Sequence, residues 1–168
     1  MIPDGVDVDN IAEQLSDDGV AFSNPELALD DALQEPIAAS LQPDHGVAVV
    51  DVFPEKIPDL RDLATTLQER TGLDTVILQA PMKVSVVSES YDRAAIEAAE
   101  DSLPVGLDQV TLVHDFYATA DGFSVPWGPI IGIFFCFAVL AAYSAVRSAS
   151  RRAPESNPAA AVVDAARG

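Results

Sequence analysis

Basic residues are scarce in this sequence. The chain of 168 residues carries 9 Lys and Arg against 27 Asp and Glu, which gives a formal net charge of −18 at pH 7. Residues 1–121 hold five of the bases and have a net charge of −20, whereas residues 147–168 have a net charge of +2. So acidic a region repels nucleic acids and anionic lipid headgroups, and it contains no basic stripe with interleaved aromatic residues. Nucleic-acid binding is therefore not expected.

Cysteine and histidine are also scarce. The single cysteine, Cys136, lies in an apolar run, so the chain cannot form an intrachain disulfide, a CxxC redox pair or a cysteine zinc site. His45 and His114 each adjoin an aspartate, Asp44 and Asp115 respectively. Such pairs are compatible with a metal pair or an acid–base dyad. In the alternative interpretation, His45 is a turn residue before a strand and His114 lies on a helix surface. Neither histidine then has a functional role.

Motifs of the common enzyme classes are missing. The sequence has no GxSxG serine, no glycine-rich phosphate loop with lysine or serine, and no HExxH pair. We therefore expect a non-catalytic protein without a cofactor. The first 19 residues also lack the basic start, apolar centre and cleavage site of a signal peptide, and we expect them to begin the folded domain.

Acidic residues near the start of the chain match the calcium-binding loop of an EF-hand only in part. Residues 4–10, DGVDVDN, place aspartates at the spacing of such a loop, but Ala12 stands where the sixth position requires glycine. Asp18 stands where the twelfth position requires glutamate, so an EF-hand is not expected. Three pairs of adjacent acidic residues are compatible with a less regular divalent-cation site. Such pairs more often belong to solvent-exposed faces. These pairs are Asp17 with Asp18, Asp30 with Asp31, and Glu100 with Asp101.

A long uncharged run interrupts this acidic chain. Residues 122–146 contain no charged residue, and residues 126–146 are mostly Ile, Phe, Val, Leu and Ala. About 20 helical residues span a hydrocarbon core of roughly 30 Å, and a buried core helix of this length would show a polar face. The sequence therefore predicts one transmembrane helix, in contact with the lipid bilayer, over residues 126–146.

Arginines set the predicted orientation of this helix. Three of them follow the predicted span closely, whereas the nearest base before it, Arg93, is too distant to count. The positive-inside rule then places the C-terminus in the cytoplasm and the acidic region outside. A tail-anchored protein with its domain in the cytoplasm is the alternative. We expect five residues at the membrane interfaces: Trp127, Tyr143, Arg147, Arg151 and Arg152.

Apolar spacing predicts the elements of the acidic region. Residues 8–17 form a helix with Asp9 as its N-cap and Gly19 after its end, and residues 26–42 are helical with Pro36 kinking or dividing them. Further strands are predicted at 45–53, 74–81 and 83–90, the last two as an antiparallel hairpin, and further helices at 58–72 and 91–103. Residues 108–122 are helix or strand, with helix favoured.

This order of elements indicates an α/β sandwich with a small mixed sheet flanked by helices. We divide the chain into an acidic domain at 1–121, a short connector at 122–125, the transmembrane helix at 126–146, and a disordered cytoplasmic tail at 147–168. The short connector would hold the domain near the membrane surface.

The chain resembles a family of actinobacterial single-pass membrane proteins of unknown function over most of residues 45–146. The shared features are an RDLA helix, a strand containing TV after a TG pair, a short turn, a VVS strand and an RA-x-x-EAAE helix, with the membrane helix close behind. They occur here at 61–64, 71–78, 86–88 and 93–100.

That resemblance implies more than the residues do alone. The family's soluble domain looks like a distant relative of the TPM domain, a small α/β sandwich in membrane-anchored proteins on the outer face of bacterial and thylakoid membranes. Members are commonly encoded beside NlpC/P60 peptidoglycan endopeptidases. The resemblance therefore implies an extracytoplasmic interaction domain that binds or restrains such a cell-wall hydrolase. Some TPM domains bind divalent cations, but no cation ligand can be assigned to a residue here.

Two other functions are compatible with the sequence. One is a cation-binding structural domain, and the other is a weak cation-dependent phosphatase that uses acidic residues. Both require a divalent cation, which the interaction domain does not.

Overall fold

A computed structural model describes residues 3, 5–123 and 140–141 of the chain. The chain divides into two compact units, Met1–Ser124 and Val125–Gly168. Apart from Leu140 and Ala141, which are helical and exposed, the predicted transmembrane helix over 126–146 and tail over 147–168 lie outside the described residues. Within the described ranges, no helix has both the length and the hydrophobicity needed to cross a membrane.

The first unit contains five α-helices, one short 3-10 helix and four strands in its described residues. In chain order they are α1 (Val8–Asp18), β1 (Val20–Phe22), the 3-10 helix Leu27–Leu29, α2 (Asp31–Ser40), β2 (His45–Val49), α3 (Ile57–Thr71), β3 (Thr75–Ala80), β4 (Lys83–Ser88), α4 (Arg93–Ser102) and α5 (Gln109–Gly122).

The strands form one mixed sheet in the order β1-β2-β3-β4. β1, β2 and β3 are parallel, and β4 returns antiparallel to β3 through the turn at Pro81 and Met82. The prediction of a small mixed sheet flanked by helices is confirmed, and so is the hairpin. β1 was not predicted, because its three residues are too few to show a period.

Helices cover both faces of the sheet and build two apolar cores. Side chains of successive strand residues point to opposite faces. Val20, Val47, Ile77 and Val86 therefore face α2, α4 and α5, and Ala21, Ala48, Leu78 and Val87 face α1 and α3. The near-continuous apolar character of β2 and β3 follows from this double coverage.

The two parallel connections run on opposite faces of the sheet. α2 connects β1 to β2 on one face, and α3 connects β2 to β3 on the other. Each connection moves the chain one strand further in the same direction across the sheet. Because the two crossover helices lie on opposite faces, the two crossovers have opposite handedness. One of them departs from the right-handed rule that about 98% of such connections follow.

Capping explains where the predicted helix ends were wrong. Asp7, not Asp9, is the N-cap of α1, because its carboxylate accepts a hydrogen bond from the Asn10 amide at 3.1 Å. The second helical stretch divides at Asp30 instead of Pro36, since Asp30 caps α2 through the Leu33 amide. Pro36 stands inside α2, where it removes one backbone donor. The predicted end of α1 at Gly19, in the left-handed conformation, is confirmed.

The last two helices lie where the sequence predicted them. α4 buries Ala95, Ile96 and Ala99, whereas Ala94 is exposed and Ala98 half-buried. The preference for helix over residues 108–122 is confirmed by α5.

Candidate functional site

A crevice opens where the chain paths after β1 and β2 diverge. After the carboxyl end of β1 the chain turns toward one face of the sheet, and after the carboxyl end of β2 it turns toward the other face. In open α/β sheets, ligands bind in the crevice outside the carboxyl ends of strands whose connections diverge in this way. The path of the chain therefore marks this edge of the sheet as the candidate site.

The crevice, which we call the carboxyl-edge cleft, has a volume of about 350 Å³. Apolar side chains form much of its wall, with amide and hydroxyl groups between them. The lining residues are Phe22, Ser23, Asn24, Leu27, Val49, Val50, Asp51, Gln79, Ala80, Pro81, Gly106, Leu107 and Gln109.

Gln79 holds the connection between α4 and α5 against the end of β3. Its side-chain nitrogen donates to the Leu107 carbonyl at 2.7 Å, and its side-chain oxygen accepts from Gln109 Nε2 at 2.9 Å. Because the buried Gln79 amide is engaged at both ends, it fixes the wall of the cleft.

Exposed apolar side chains accompany the cleft. Leu29, Phe53, Met82 and Val105 each lie within two residues, along the chain, of a residue that lines it. We call these four residues the apolar rim. Leu29 is 84% exposed and Phe53 is 73% exposed. Exposed apolar patches are typical of protein-binding surfaces, and the position of these residues in the connections that line the cleft indicates such a surface here.

A polar cluster lies at the opposite end of the strands from the cleft, where β2 and β3 begin. The buried His45 ring contacts the Tyr117 hydroxyl through Nδ1 at 2.9 Å, and its Nε2 lies 3.6 Å from Asp74 Oδ2. The Tyr117 hydroxyl also accepts from the Gln42 amide at 3.1 Å. The Nε2–H tautomer of the neutral ring lets this hydroxyl donate to Nδ1 and directs the ring proton toward Asp74.

Burial controls ionisation in this cluster. Desolvation lowers the pKa of His45 below 6.5, and the carboxylates of Asp74, Asp44 and Asp121 offset this only in part. Desolvation likewise raises the pKa of the Tyr117 phenol. Hydrogen bonding from Ser90, with smaller contributions from other neighbours, lowers the pKa of Asp74. The cluster therefore combines a neutral imidazole with an ionised carboxylate near neutral pH.

The structure corrects the predicted pairing of the histidines. The nearest carboxylate to His45 is that of Asp74 and not that of its neighbour Asp44, whose carbonyl accepts from the Asp74 amide at 2.8 Å. His114 is exposed on α5, as the helix-surface interpretation has it. Within the described part of the chain, no group of three or more His, Cys, Asp or Glu side chains could hold a metal ion.

Members of the acidic pairs have structural partners instead. Asp18 accepts from the Val20 amide at 2.9 Å, Asp30 caps α2, and Glu100 accepts from the Val86 amide at 2.6 Å. These carboxylates therefore accept backbone hydrogen bonds at the start of β1, at the start of α2 and along the outer edge of β4.

Neither the cleft nor its rim was predicted from the sequence. The lining residues come from four separate connections that only the fold brings together. An available signal was the presence of large apolar residues, Met82 and Val105, in predicted connections. The five predicted membrane-interface residues, Trp127, Tyr143, Arg147, Arg151 and Arg152, lie outside the described residues.

Comparison with known protein families gives a match over most of the chain. Residues 1–160 match the family described as Membrane protein Rv1476. No curated protein and no solved structure matches the chain. The match supports the membrane-protein part of the resemblance, while the TPM-like fold and the association with NlpC/P60 endopeptidases stay predictions.

Proposed function

The chain belongs to the family of Membrane protein Rv1476, and from that premise we propose that it is a single-pass membrane protein with an extracytoplasmic interaction domain. Residues 126–146 form the span in this proposal, and residues 147–168 lie in the cytoplasm. The uncharged run and the arginines that follow it support this arrangement.

The proposed partner is a cell-wall hydrolase of the NlpC/P60 class, whose activity the domain regulates by contact. The main observation in support of a binding role is the apolar rim, whose residues lie next to residues that line the carboxyl-edge cleft. Exposed aromatic and aliphatic side chains that become buried supply most of the affinity of protein interfaces. The surrounding negative charge would speed encounter with a basic surface.

The groups in the cleft suit binding of a side chain. Its described lining combines apolar side chains with three side-chain amides, the hydroxyl of Ser23 and the carboxylate of Asp51. Gln79 and Gln109 hydrogen-bond to each other, and Gln79 also donates to a backbone carbonyl. The cleft is accordingly suited to accept an apolar side chain of a partner.

Binding and regulation are tested with the full chain in lipid nanodiscs and a purified NlpC/P60 endopeptidase from the same organism. We expect the two to bind, and we expect the rate of peptidoglycan cleavage to change on binding. Replacing Leu29 and Phe53 together by serine should weaken binding at least about tenfold, the equivalent of about 1.4 kcal/mol.

The control is Phe123→Ser, which removes an apolar side chain that is 37% exposed and lines neither this cleft nor the other large groove of the domain. It should leave the affinity unchanged. Absence of binding would refute the hydrolase partner, and binding unaffected by the double substitution would refute the cleft as the surface.

Orientation is tested separately by fusing to Met1 a reporter that is active only outside the cytoplasm. Activity is expected for the proposed topology. A silent reporter, with a cytoplasmic reporter active at the same position, would favour the tail-anchored alternative.

A further inference from the structure

The two edges of the sheet are protected to different degrees. At β1, the side-chain amide of Gln14 covers both outward backbone groups of Phe22. Its oxygen accepts from the Phe22 N–H at 3.0 Å, and its nitrogen donates to the Phe22 carbonyl at 3.2 Å. β1 is also only three residues long. This edge is therefore closed to another strand.

The edge at β4 is longer and less covered. The Val86 N–H donates to Glu100 Oε1 at 2.6 Å, so it points away from β3. Because backbone direction alternates along an antiparallel strand, the backbone groups of Val84 and Ser88 also point outward. The Glu100 carboxylate thus occupies the place that the carbonyl of a further strand would take, and an added strand has to displace it from the Val86 N–H. Within the described residues, no strand pairs with this edge.

A groove of about 470 Å³ lies along this edge, between α3 and α4. Arg61 of α3 and Lys83 of β4 line one side of it. The α4 side is lined by Glu97, Glu100, Asp101 and one base, Arg93, which pairs with Glu97 at 2.7 Å. Lys83 shares its face of the sheet with Val87, which packs toward α3. One side of the groove is therefore basic, and the α4 side is acidic on balance, with three carboxylates against one base.

We propose that the β4 edge binds an extended segment of a partner protein, which joins the sheet as a fifth strand. Side chains of an added strand alternate between the two faces. The segment that fits carries acidic residues at the positions facing Arg61 and Lys83, and basic residues at the alternate positions facing Glu97 and Asp101. Main-chain hydrogen bonds supply affinity in this mode of binding, and the alternating charges supply specificity.

A second copy of this chain fits the groove poorly. Its own β4, KVSVVS, has no acidic side chain, and residues 1–121 of two copies, each with a net charge of −20, repel each other. The surface shares no lining residue with the carboxyl-edge cleft, so the inference goes beyond the function proposed above.

The first experiment compares two peptide probes with the full chain in detergent micelles. One is a ten-residue peptide of alternating Glu and Lys, and the other has the same composition as five Glu followed by five Lys. Fluorescence anisotropy should show the alternating peptide binding at least about tenfold tighter. The amide NMR signals of Val84, Val86 and Ser88 should move on binding. Equal affinities, or signals that move elsewhere and not at β4, would overturn the proposal.

N-methylation of the alternating peptide tests backbone pairing. Residues opposite Val84 and Val86 share their face of the sheet, which is the α4 side. In the proposed segment, the residues on the α4 side are the Lys residues. Their backbone amides face β4 if the fifth strand is antiparallel, whereas the Glu amides face β4 if it is parallel. Methylating one set of amides should therefore abolish binding while methylating the other set spares it. An equal effect of both sets would contradict strand addition.

A charge reversal in the protein completes the test. Arg61→Glu should weaken binding of the alternating peptide at least about tenfold, because it removes the basic side of the groove. Arg70→Glu is the matched control, since it changes the net charge equally and Arg70 does not line the groove. Unchanged thermal unfolding midpoints would verify folding of both variants. Equal weakening by both would show that only overall charge matters and would reject the site.

Discussion

Gly46 is the second residue of β2, and it lies where the start of the strand meets α1 and the connection to β3. A Cβ added to Gly46 would lie 2.7 Å from Leu73 Cδ1, 3.0 Å from Leu15 Cδ2 and 3.2 Å from the Gly19 carbonyl oxygen. Gly46→Ala is therefore expected to lower the free energy of unfolding by about 1–3 kcal/mol through overpacking. Chemical denaturation of the full chain measures this change.

Gly122→Ala is the control for that substitution, because nothing lies within 4 Å of a Cβ at the end of α5. Its stability should equal or slightly exceed that of the native chain, since alanine favours helix over glycine. Equal stability of both variants would show that the neighbours of Gly46 move aside freely.

His45 should make stability depend on pH. Burial lowers the pKa of its folded-state imidazole below 6.5, so the unfolded chain binds more protons as pH falls through that value. The free energy of unfolding should therefore decrease from about pH 7.5 to about pH 5.5, by at most about 1.4 kcal/mol per pH unit for one group. The decrease should end once the lower pKa of the folded state is passed.

Substitution separates His45 from other titrating groups in this prediction. His45→Gln retains an amide that can reach the Tyr117 hydroxyl but cannot titrate, so the slope should become smaller. Equal slopes in the native and the substituted protein would contradict a buried neutral imidazole.

At the scale of elements, the N-cap of α1 is open to a direct test. The Asp7 carboxylate accepts from the Asn10 amide at 3.1 Å, and Asp7→Ala removes this bond. We expect the free energy of unfolding to fall by about 1 kcal/mol. Asp17→Ala, which also removes one acidic side chain from the α1 region and lies on an exposed helix face, should cause no loss. A smaller loss for Asp7 than for Asp17 would place the helix start elsewhere.

Most elements were predictable because each carries its own local signal. α3 has apolar residues at helical spacing and ends at Gly72 in the left-handed conformation, and both features are visible in the sequence. β1 was missed because Val20–Phe22 form a strand only by pairing with β2. Hydrogen bonds between distant parts of the chain decide such short strands, and local spacing does not report them.

At the scale of the whole molecule, electrostatic repulsion should limit stability. The formal net charge is −18, so most carboxylates cannot pair with a base. Raising NaCl from about 0.01 M to about 0.1 M shortens the Debye length from about 30 Å to about 10 Å. The thermal midpoint should rise by roughly 2–4 °C if screening contributes about 1 kcal/mol.

KCl at the same concentrations is the control for this salt effect, and it should give the same rise, because screening does not distinguish the two cations. A midpoint that falls with salt would mean that ion pairs such as Arg93 with Glu97, 2.7 Å apart, outweigh the repulsion.

The sequence by itself determined the charge, the helices, the hairpin and the mixed sheet, because composition, apolar spacing and capping residues are local properties. Only the tertiary structure decided the opposite hands of the two crossovers, and with them the carboxyl-edge cleft, since these depend on which face each helix covers. It likewise decided that His45 is buried beside Tyr117 and Asp74, three residues far apart in the chain. Sites of this kind arise from packing between elements, which a local pattern does not encode.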